Sequence, residues 1–213
     1  VNNITDAFFV TTDWTVFQTD ALYIDTSEPS VSWEMFVPVF IVYPIMLFLF
    51  SKKYGLMVNS GSSALILAFK VMNLKKGSEV ITPCLNFGTA VSSIMLSGLT
   101  PIFVDCEIAT LQIDIEQIEK KITKKTKALL VPNLIGNIPD WKKLRQIANK
   151  YKLMLIEDSA DTLGGMIDNK PTGRFSDISI TSFYGSHVIS CAGNGGIFLT
   201  NNSNFFKRAK VLR

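Results

Sequence analysis

The chain has 213 residues and a formal net charge of +3, and this length suits one α/β domain or part of a larger protein. So small a charge does not indicate a nucleic-acid partner, and we interpret the lysines between residues 120 and 127 as the solvated face of a helix and its exit. Cys84, Cys106 and Cys191 lie far apart without a CxxC pair, which argues against a disulfide framework or a metal site and favours a reducing compartment, the cytoplasm.

The first 50 residues differ in charge from the rest of the chain. They contain six acidic residues and no lysine or arginine, and all 21 basic residues lie in 51–213. An apolar run of 16 residues, 35–50, closes this segment and contains Pro38 and Pro44. A membrane helix needs about 20 residues, prolines disfavour a helix, and no basic segment precedes the run as in a signal peptide. We therefore expect no membrane anchor, and we interpret the run as a buried segment or a stretch foreign to the rest of the chain.

From Ser51 onward, apolar periodicity and turn residues predict strands that alternate with helices. The predicted strands are Glu79–Pro83, Pro101–Asp105, Ala128–Pro132, Leu153–Glu157, Asp177–Phe183 and Gly196–Thr200. The predicted helices are Ser62–Asn73, ended by Gly77, then Thr89–Leu96, ended by Gly98, two helices capped by Asp114 and Asp140, and a closing helix from about Asn204.

This alternation predicts βαβ units and a fold of the α/β class, a three-layer α/β/α domain with a mainly parallel sheet. Ligands of such sheets bind beyond the carboxyl ends of the strands. Asp105, Asn133, Asp158 and Ser182 all lie at predicted strand ends. The sequence therefore predicts the functional site at this edge of the sheet.

The polar groups at this edge suggest one kind of ligand. The small residues Asn59–Ala64 open a helix whose free N–H groups can hold a phosphate, although such residues also make ordinary caps. Asp158 can pair with a cationic ring nitrogen or cap a turn, and Phe87 can stack on a flat ring or lie in the core. Ser182 can reach the same phosphate, and His187, the only histidine, carries protons near neutral pH or is structural. Together these groups describe a pyridoxal phosphate (PLP) site.

From Ser51 onward the chain resembles the large domain of the fold-type I, PLP-dependent sugar aminotransferase family, the DegT/DnrJ/StrS group. The resemblance covers about three quarters of the chain, with its motifs in the family's order. The matching stretches are Asn59–Leu65, Val80–Pro83, Phe87–Thr89, Gly98–Asp105, Glu157–Asp161, Ser182–Phe183 and Gly195–Gly196. The resemblance implies that Gly61 and Ser62 bind the cofactor phosphate, helped by the Ser182 hydroxyl.

The resemblance also implies the residues around the cofactor ring. Phe87 stacks on the ring, Asp158 pairs with its protonated nitrogen, and Asp161 lies near its phenolic oxygen. His187 stands where ordinary members carry the lysine that binds PLP covalently. A histidine at this place is typical of the 4-keto-sugar 3-dehydratases, which use the amine form of the cofactor, pyridoxamine phosphate (PMP).

The implied reaction removes the C3 hydroxyl of a nucleotide-linked 4-keto-6-deoxy sugar, in deoxysugar and polysaccharide biosynthesis. His187 can serve as base and then as acid in its proton steps. Two alternatives stay open: a sugar aminotransferase of the same family, and a non-catalytic truncated fragment that retains the fold.

Several features depart from the family pattern. The segment from His187 to Gly195 is one residue longer than usual, Asn194 replaces the usual glutamate, and Asn133 stands where many members have histidine. Residues 1–50 do not match the family, and we hypothesise that they come from a misread or fused reading frame. We expect an incomplete large domain at 51–213 without the C-terminal small domain. Family members are usually homodimers, so we also expect a homodimer.

Overall fold

The computed structural model describes residues 42–190 and 194–213. The predictions for residues 1–41 and for Cys191 fall outside these residues. The strands are β1 (Tyr54–Val58), β2 (Glu79–Pro83), β3 (Thr100–Val104), β4 (Thr126–Pro132), β5 (Met154–Asp158), β6 (Met166–Ile167), β7 (Lys170–Pro171), β8 (Ile178–Ser182) and β9 (Gly196–Thr200). The helices are α1 (42–49), α2 (Gly61–Met72), α3 (Gly88–Leu96), α4 (Ile115–Lys121), α5 (Trp141–Tyr151) and α6 (Ser203–Leu212).

Seven strands form one sheet in the order β1-β9-β8-β5-β4-β2-β3, and β6 pairs with β7 in a separate hairpin. Within the described sheet, β9 is the one strand that runs opposite to the others, and it pairs antiparallel with both β1 and β8. The pairs β2–β3, β2–β4, β4–β5 and β5–β8 are parallel. The predicted α/β class with a mainly parallel sheet is therefore confirmed. The carboxyl ends of β4, β5 and β8 consequently meet at one edge.

Helices cover both faces of the sheet, as strands buried on two sides require. Alternate residues of β4 show this directly: Ala128 and Leu130 pack with α2, and Leu129 and Val131 pack with α4 and α5. A smaller cluster joins α1 to β9 on the second of these faces. The three-layer arrangement follows from this period of two along each buried strand.

The helices begin and end at residues that satisfy their free backbone groups. Asp114 and Asp140 accept hydrogen bonds from backbone N–H groups in the first turns of α4 and α5, which confirms both predicted caps. Helix α2 ends at Asn73, as the predicted range Ser62–Asn73 expects, but the residue that ends it is Asn73 and not Gly77. Asn73 adopts a left-handed conformation (φ 50°, ψ 44°) that asparagine tolerates better than most residues.

The apolar run before Ser51 is helical over 42–49 where the structure describes it. The expectation that Pro44 disfavours a helix here is wrong, because Pro44 lies within the described helix. Met46 and Phe50 are buried against Phe183, Ile197 and Leu199, as the interpretation of a buried segment predicts. The described chain contains no helix long and apolar enough to cross a bilayer. The domain boundary at Ser51 stays a prediction.

Candidate active site

One cavity of about 600 Å³ opens at the carboxyl ends of β4, β5 and β8. The seven residues predicted to form the site all line it: Gly61, Ser62, Phe87, Asp158, Asp161, Ser182 and His187. Asn133 also lines the cavity, but Asp105 does not, although it follows a strand of the same sheet. Asp105 follows the edge strand β3, and its carboxylate accepts the N–H of Cys106 instead.

The amino end of α2 forms one wall of the cavity. Ser60 caps the helix by accepting a hydrogen bond from the N–H of Ser63. The N–H groups of Gly61 and Ser62 have no hydrogen-bond partner within the described part of the chain. Free N–H groups at a helix amino terminus attract an anion, and the helix dipole adds to this attraction.

Glycine is required where α2 approaches the sheet. A Cβ at Gly61 would lie 2.6 Å from Cβ and 3.0 Å from Oγ of Ser182. A Cβ at Gly196 would lie 2.4 Å from the carbonyl of Ser60. These two approaches bring the free amides of α2 beside the Ser182 hydroxyl, and together the groups form a cradle suited to phosphate.

Asp158 ends β5 and is largely buried at the cavity. Burial raises its pKa to about 7, and the nearby Asp161 and Glu157 add to this effect. The N–H of Ala160 donates to Asp158 Oδ1 at 3.1 Å and partly opposes the rise. A buried carboxyl group held in this way gains most from a cationic partner, such as a protonated ring nitrogen.

Two aromatic rings are exposed at the cavity. Phe87 is 68% exposed, so the alternative of a core phenylalanine is wrong. Tyr184 is 56% exposed, and its ring meets that of His187 edge to face, with 5.9 Å between centroids. Exposed rings of this kind can stack on a planar ligand.

His187 lies close to Asp161 inside the cavity. Its Nε2 is 3.9 Å from Oδ1 of Asp161, and its Nδ1 is buried without a hydrogen-bond partner among the described residues. Oδ2 of Asp161 accepts the N–H of Ile135 at 3.2 Å. The pair joins a group that can carry a proton to a carboxylate that can stabilise its charged form.

Asn133 is held by a buried polar network behind the cavity. Its Nδ2 donates to Oε1 of Glu157 at 3.0 Å and to Oγ of Ser159 at 2.7 Å. Its Oδ1 accepts the indole N–H of Trp141 at 2.8 Å. The side-chain amide hydrogens and carbonyl oxygen of Asn133 are thus hydrogen-bonded to other protein residues. We therefore interpret the replacement of the family's histidine by Asn133 as a change in the residues that support the site.

The same network extends to a buried lysine. Lys52 Nζ donates to the carbonyl oxygen of Ser176 at 2.6 Å and to its Oγ at 3.1 Å. Ser176 Oγ and Ser179 Oγ lie 3.2 and 2.6 Å from Oε2 of Glu157. Burial lowers the pKa of Lys52 to about 8, and the charges of Glu157 and Asp177 oppose this effect. Lys52 is therefore part of the support behind the cavity and does not line it.

Some cavity residues were not among the predicted site residues. They include Leu85, Asn86, Leu134, Ile135, Tyr184 and Ser186. Tyr184 and Ser186 lie between two predicted site residues, Ser182 and His187, so their position in the chain could have identified them. No signal in the sequence identifies Ile135, because its place depends on the turn that follows β4.

Comparison with known proteins gives first the class of the molecule. The fold matches a solved Escherichia coli GDP-4-keto-6-deoxy-D-mannose-3-dehydratase with bound hydrated PLP, with a TM-score of 0.71 and 33% identity over 75% of this chain and 42% of that chain. It also matches NtdA from Bacillus subtilis with bound PMP, with a TM-score of 0.71 and 29% identity over 83% of this chain and 43% of that chain. The domain therefore has the fold of PLP-dependent aminotransferases.

The family follows from the sequence. The model of the DegT/DnrJ/EryC1/StrS aminotransferase family matches residues 47–213, and the chain belongs to this family. A GDP-perosamine synthase from Escherichia coli O157:H7 is 38% identical over 156 residues, which are 73% of this chain and 43% of that protein. The chain thus spans about two fifths of the length of these relatives. The resemblance read from the sequence motifs is confirmed.

Proposed function

We propose that the protein is a PMP-dependent 3-dehydratase that removes the C3 hydroxyl of a nucleotide-linked 4-keto-6-deoxy sugar. The observation that carries this proposal is His187, which lines the cavity at the place where the resemblance expects a lysine. No lysine is found among the described residues that line the cavity. A cavity lining without lysine favours PMP, the amine form of the cofactor, over PLP bound covalently to the protein.

The residues present fit PMP or PLP. The free amides of Gly61 and Ser62 and the hydroxyl of Ser182 suit its phosphate, and a Cβ at Gly61 would fill this cradle. The raised pKa of Asp158 suits a partner that brings its own positive charge. Phe87 offers an exposed ring for stacking. When bound, PMP supplies the amine that reacts with the C4 ketone and a ring that accepts electrons.

The protein residues then orient the ligand and move protons. Asp158 pairs with the ring nitrogen and keeps it protonated. His187 takes a proton as a neutral base and returns one to the departing C3 hydroxyl, which leaves as water. Asp161, 3.9 Å from His187, stabilises the imidazolium formed between these steps.

The proposed substrate class agrees with relatives whose names contain GDP-linked sugars. Two further expectations belong to the same proposal: a homodimer, whose second copy contributes to the site, and a location in the cytoplasm. The second candidate is a sugar aminotransferase, favoured by the description of the family that the chain belongs to.

The test replaces His187 with asparagine. Incubated with PMP and GDP-4-keto-6-deoxymannose, the 213-residue protein should release water from C3, measured by mass spectrometry of the sugar product. H187N should lose this turnover by about a hundredfold or more, since general acid–base groups contribute 10²–10⁴-fold. The variant should still bind PMP, measured by absorbance. Val188→Ala is the matched control, because Val188 is an exposed neighbour of His187 that does not line the cavity. This variant should retain the turnover of the wild type.

The other outcomes separate the candidates. Unchanged turnover in H187N would rule out the assigned base. An adduct of PLP with the protein that borohydride reduces, together with amino transfer, would favour the aminotransferase. A protein that binds neither PMP nor PLP would be a non-catalytic member that retains the fold.

A further inference from the structure

Ile135 has a backbone conformation that β-branched residues rarely adopt. Its φ and ψ are 56° and 29°, in the left-handed region, where the branched side chain is crowded. Its side chain is 67% exposed at the cavity, so burial of the side chain does not compensate for this strain. Strain of this kind costs about 1–3 kcal/mol and persists only where the surroundings fix the backbone.

Hydrogen bonds fix the chain on both sides of Ile135. On one side, the N–H of Asn133 donates to the carbonyl of Asp158 at 2.8 Å, and the hydroxyl of Thr162 donates to the carbonyl of Asn133 at 2.9 Å. The carbonyl of Leu134 accepts the side chain of Gln112 at 3.2 Å.

On the other side, the side-chain amide of Asn137 donates to the carbonyl of Thr110 at 2.9 Å. Through the bonds of Asn133, the loop 133–137 is also tied to the segment 158–162, which carries both aspartates of the cavity.

The anchored loop aims one group at the site. The N–H of Ile135 donates to Oδ2 of Asp161 at 3.2 Å, and the other oxygen of Asp161 faces Nε2 of His187 at 3.9 Å. This N–H lies in the peptide plane between Leu134 and Ile135, so the anchored residues 133 and 134 set its direction, and the left-handed torsions of Ile135 lead the chain from this plane to the anchor at Asn137. The carboxylate thus lies between a fixed donor and the imidazole.

We propose that Ile135 is a positioning residue, whose backbone N–H, fixed by the anchored loop 133–137, holds Asp161 against His187 and so sets the orientation of the imidazole in the cavity. The effect on turnover rests on the proposed function of His187. The geometric part concerns this chain's own residues and is tested without substrate.

The first test observes the imidazole by nuclear magnetic resonance. The chain has one histidine, so its ring signals need no further assignment. Ile135→Pro removes the N–H and forces a negative φ, and it should displace the His187 ring signals in the same direction as Asp161→Ala. Ile135→Gly keeps the N–H and tolerates the left-handed backbone, so its ring signals should stay close to those of the wild type.

Asn73 offers a matched control. It is also left-handed, with φ 50°, its N–H donates to the carbonyl of Lys70 at 3.3 Å, and it does not line the cavity. Asn73→Pro removes an equivalent bond at the other end of α2 and should leave the ring signals unchanged. If Asn73→Pro moves them as far as Ile135→Pro does, the effect is general damage to the fold and the proposal is wrong.

A double-mutant cycle tests the link through Asp161. Because both changes break one chain of contacts, Ile135→Pro combined with Asp161→Ala should displace the ring signals no further than Asp161→Ala alone. In turnover assays, Ile135→Pro should lower kcat about tenfold to a hundredfold with KM nearly unchanged. Additive ring displacements would overturn the inference. An inactive wild type that keeps this coupling would instead count against the proposed function alone.

Discussion

At the residue scale, the environment of each side chain determines what it can do in the cavity. Phe87 and Asp158 are neighbours in one site, yet the first is exposed and the second largely buried. Exposure leaves the ring free for stacking, and burial makes the carboxyl group reluctant to ionise without a cationic partner.

Asp158→Asn tests the effect of this burial on stability. A carboxyl group whose pKa is higher in the folded state than in the unfolded state takes up a proton on folding when the pH lies between the two pKa values. Stability therefore falls as pH rises through this range, from about 4 to about 7 for Asp158. Asparagine does not ionise, so the cofactor-free D158N protein should match the wild type near pH 4 and exceed it at pH 7.5. With about three units between the values, the gain is at most on the order of 4 kcal/mol.

Urea unfolding at the two pH values measures this difference. Asp168→Asn is the control, because Lys142 holds the pKa of this exposed carboxyl group below its usual value. Replacing Asp168 should therefore leave in place the fall in stability that accompanies the rise in pH. Equal pH dependence in D158N and the wild type would contradict the assignment of Asp158.

At the element scale, the start of α2 presents free N–H groups to the cavity, as the sequence motif predicts. The cap at Ser60 uses the N–H group of Ser63, and the N–H groups of Gly61 and Ser62, which line the cavity, stay free where α2 packs closely against Gly196 and Ser182. Helix termini elsewhere in the chain have caps as well, so the cap does not distinguish this helix. What distinguishes α2 is that the sheet packs so closely against its first residue, Gly61, that a Cβ there would overlap Ser182.

Gly61→Ala tests this packing. The added methyl group would overlap Ser182, and we expect a loss of about 1–3 kcal/mol in unfolding free energy, together with weaker binding of PMP but little change for pyridoxamine, which lacks the phosphate. Gly88→Ala is the matched control, because Gly88 also begins a helix but has open space around its Cα. Similar losses in both variants would show that helix termini in general, and not the cradle, are sensitive.

At the scale of the whole molecule, a buried polar network joins the start of the described chain to the centre of the sheet. Lys52 reaches Ser176, and through it Glu157 in β5, across more than a hundred residues of sequence. Buried charges remain in a core only when they are paired and hydrogen-bonded. This network therefore fixes the residues before β1 to the strand that carries Asp158.

Lys52→Met should destabilise the protein by about 3–5 kcal/mol, because the buried Glu157 would lose its cationic partner. Chemical denaturation measures this loss. Lys53→Met is the control, since Lys53 is exposed and its removal should cost less than about 0.5 kcal/mol. Equal stability of the two variants would show that Lys52 does not support the fold.

The sequence by itself determined the class of fold and the parts of the site. Buried strands such as β4 have continuous apolar runs, and motifs at strand ends indicate Gly61, Asp158, Ser182 and His187, because local pattern depends only on neighbours in the chain. Strand β1 and the hairpin of β6 and β7 were not predicted, and the left-handed cap of α2 is Asn73 and not the predicted Gly77, since short strands and left-handed caps give weak local signals.

Only the tertiary structure decided how these parts act on one another. Whether Phe87 is exposed, whether Asn133 faces a ligand or a network, and which backbone amide holds Asp161 all depend on residues distant in sequence. The pKa of Asp158 has the same origin, because burial is a property of the folded molecule. The chemical groups of the site are thus encoded locally, and their orientation and protonation are set by packing across the sheet.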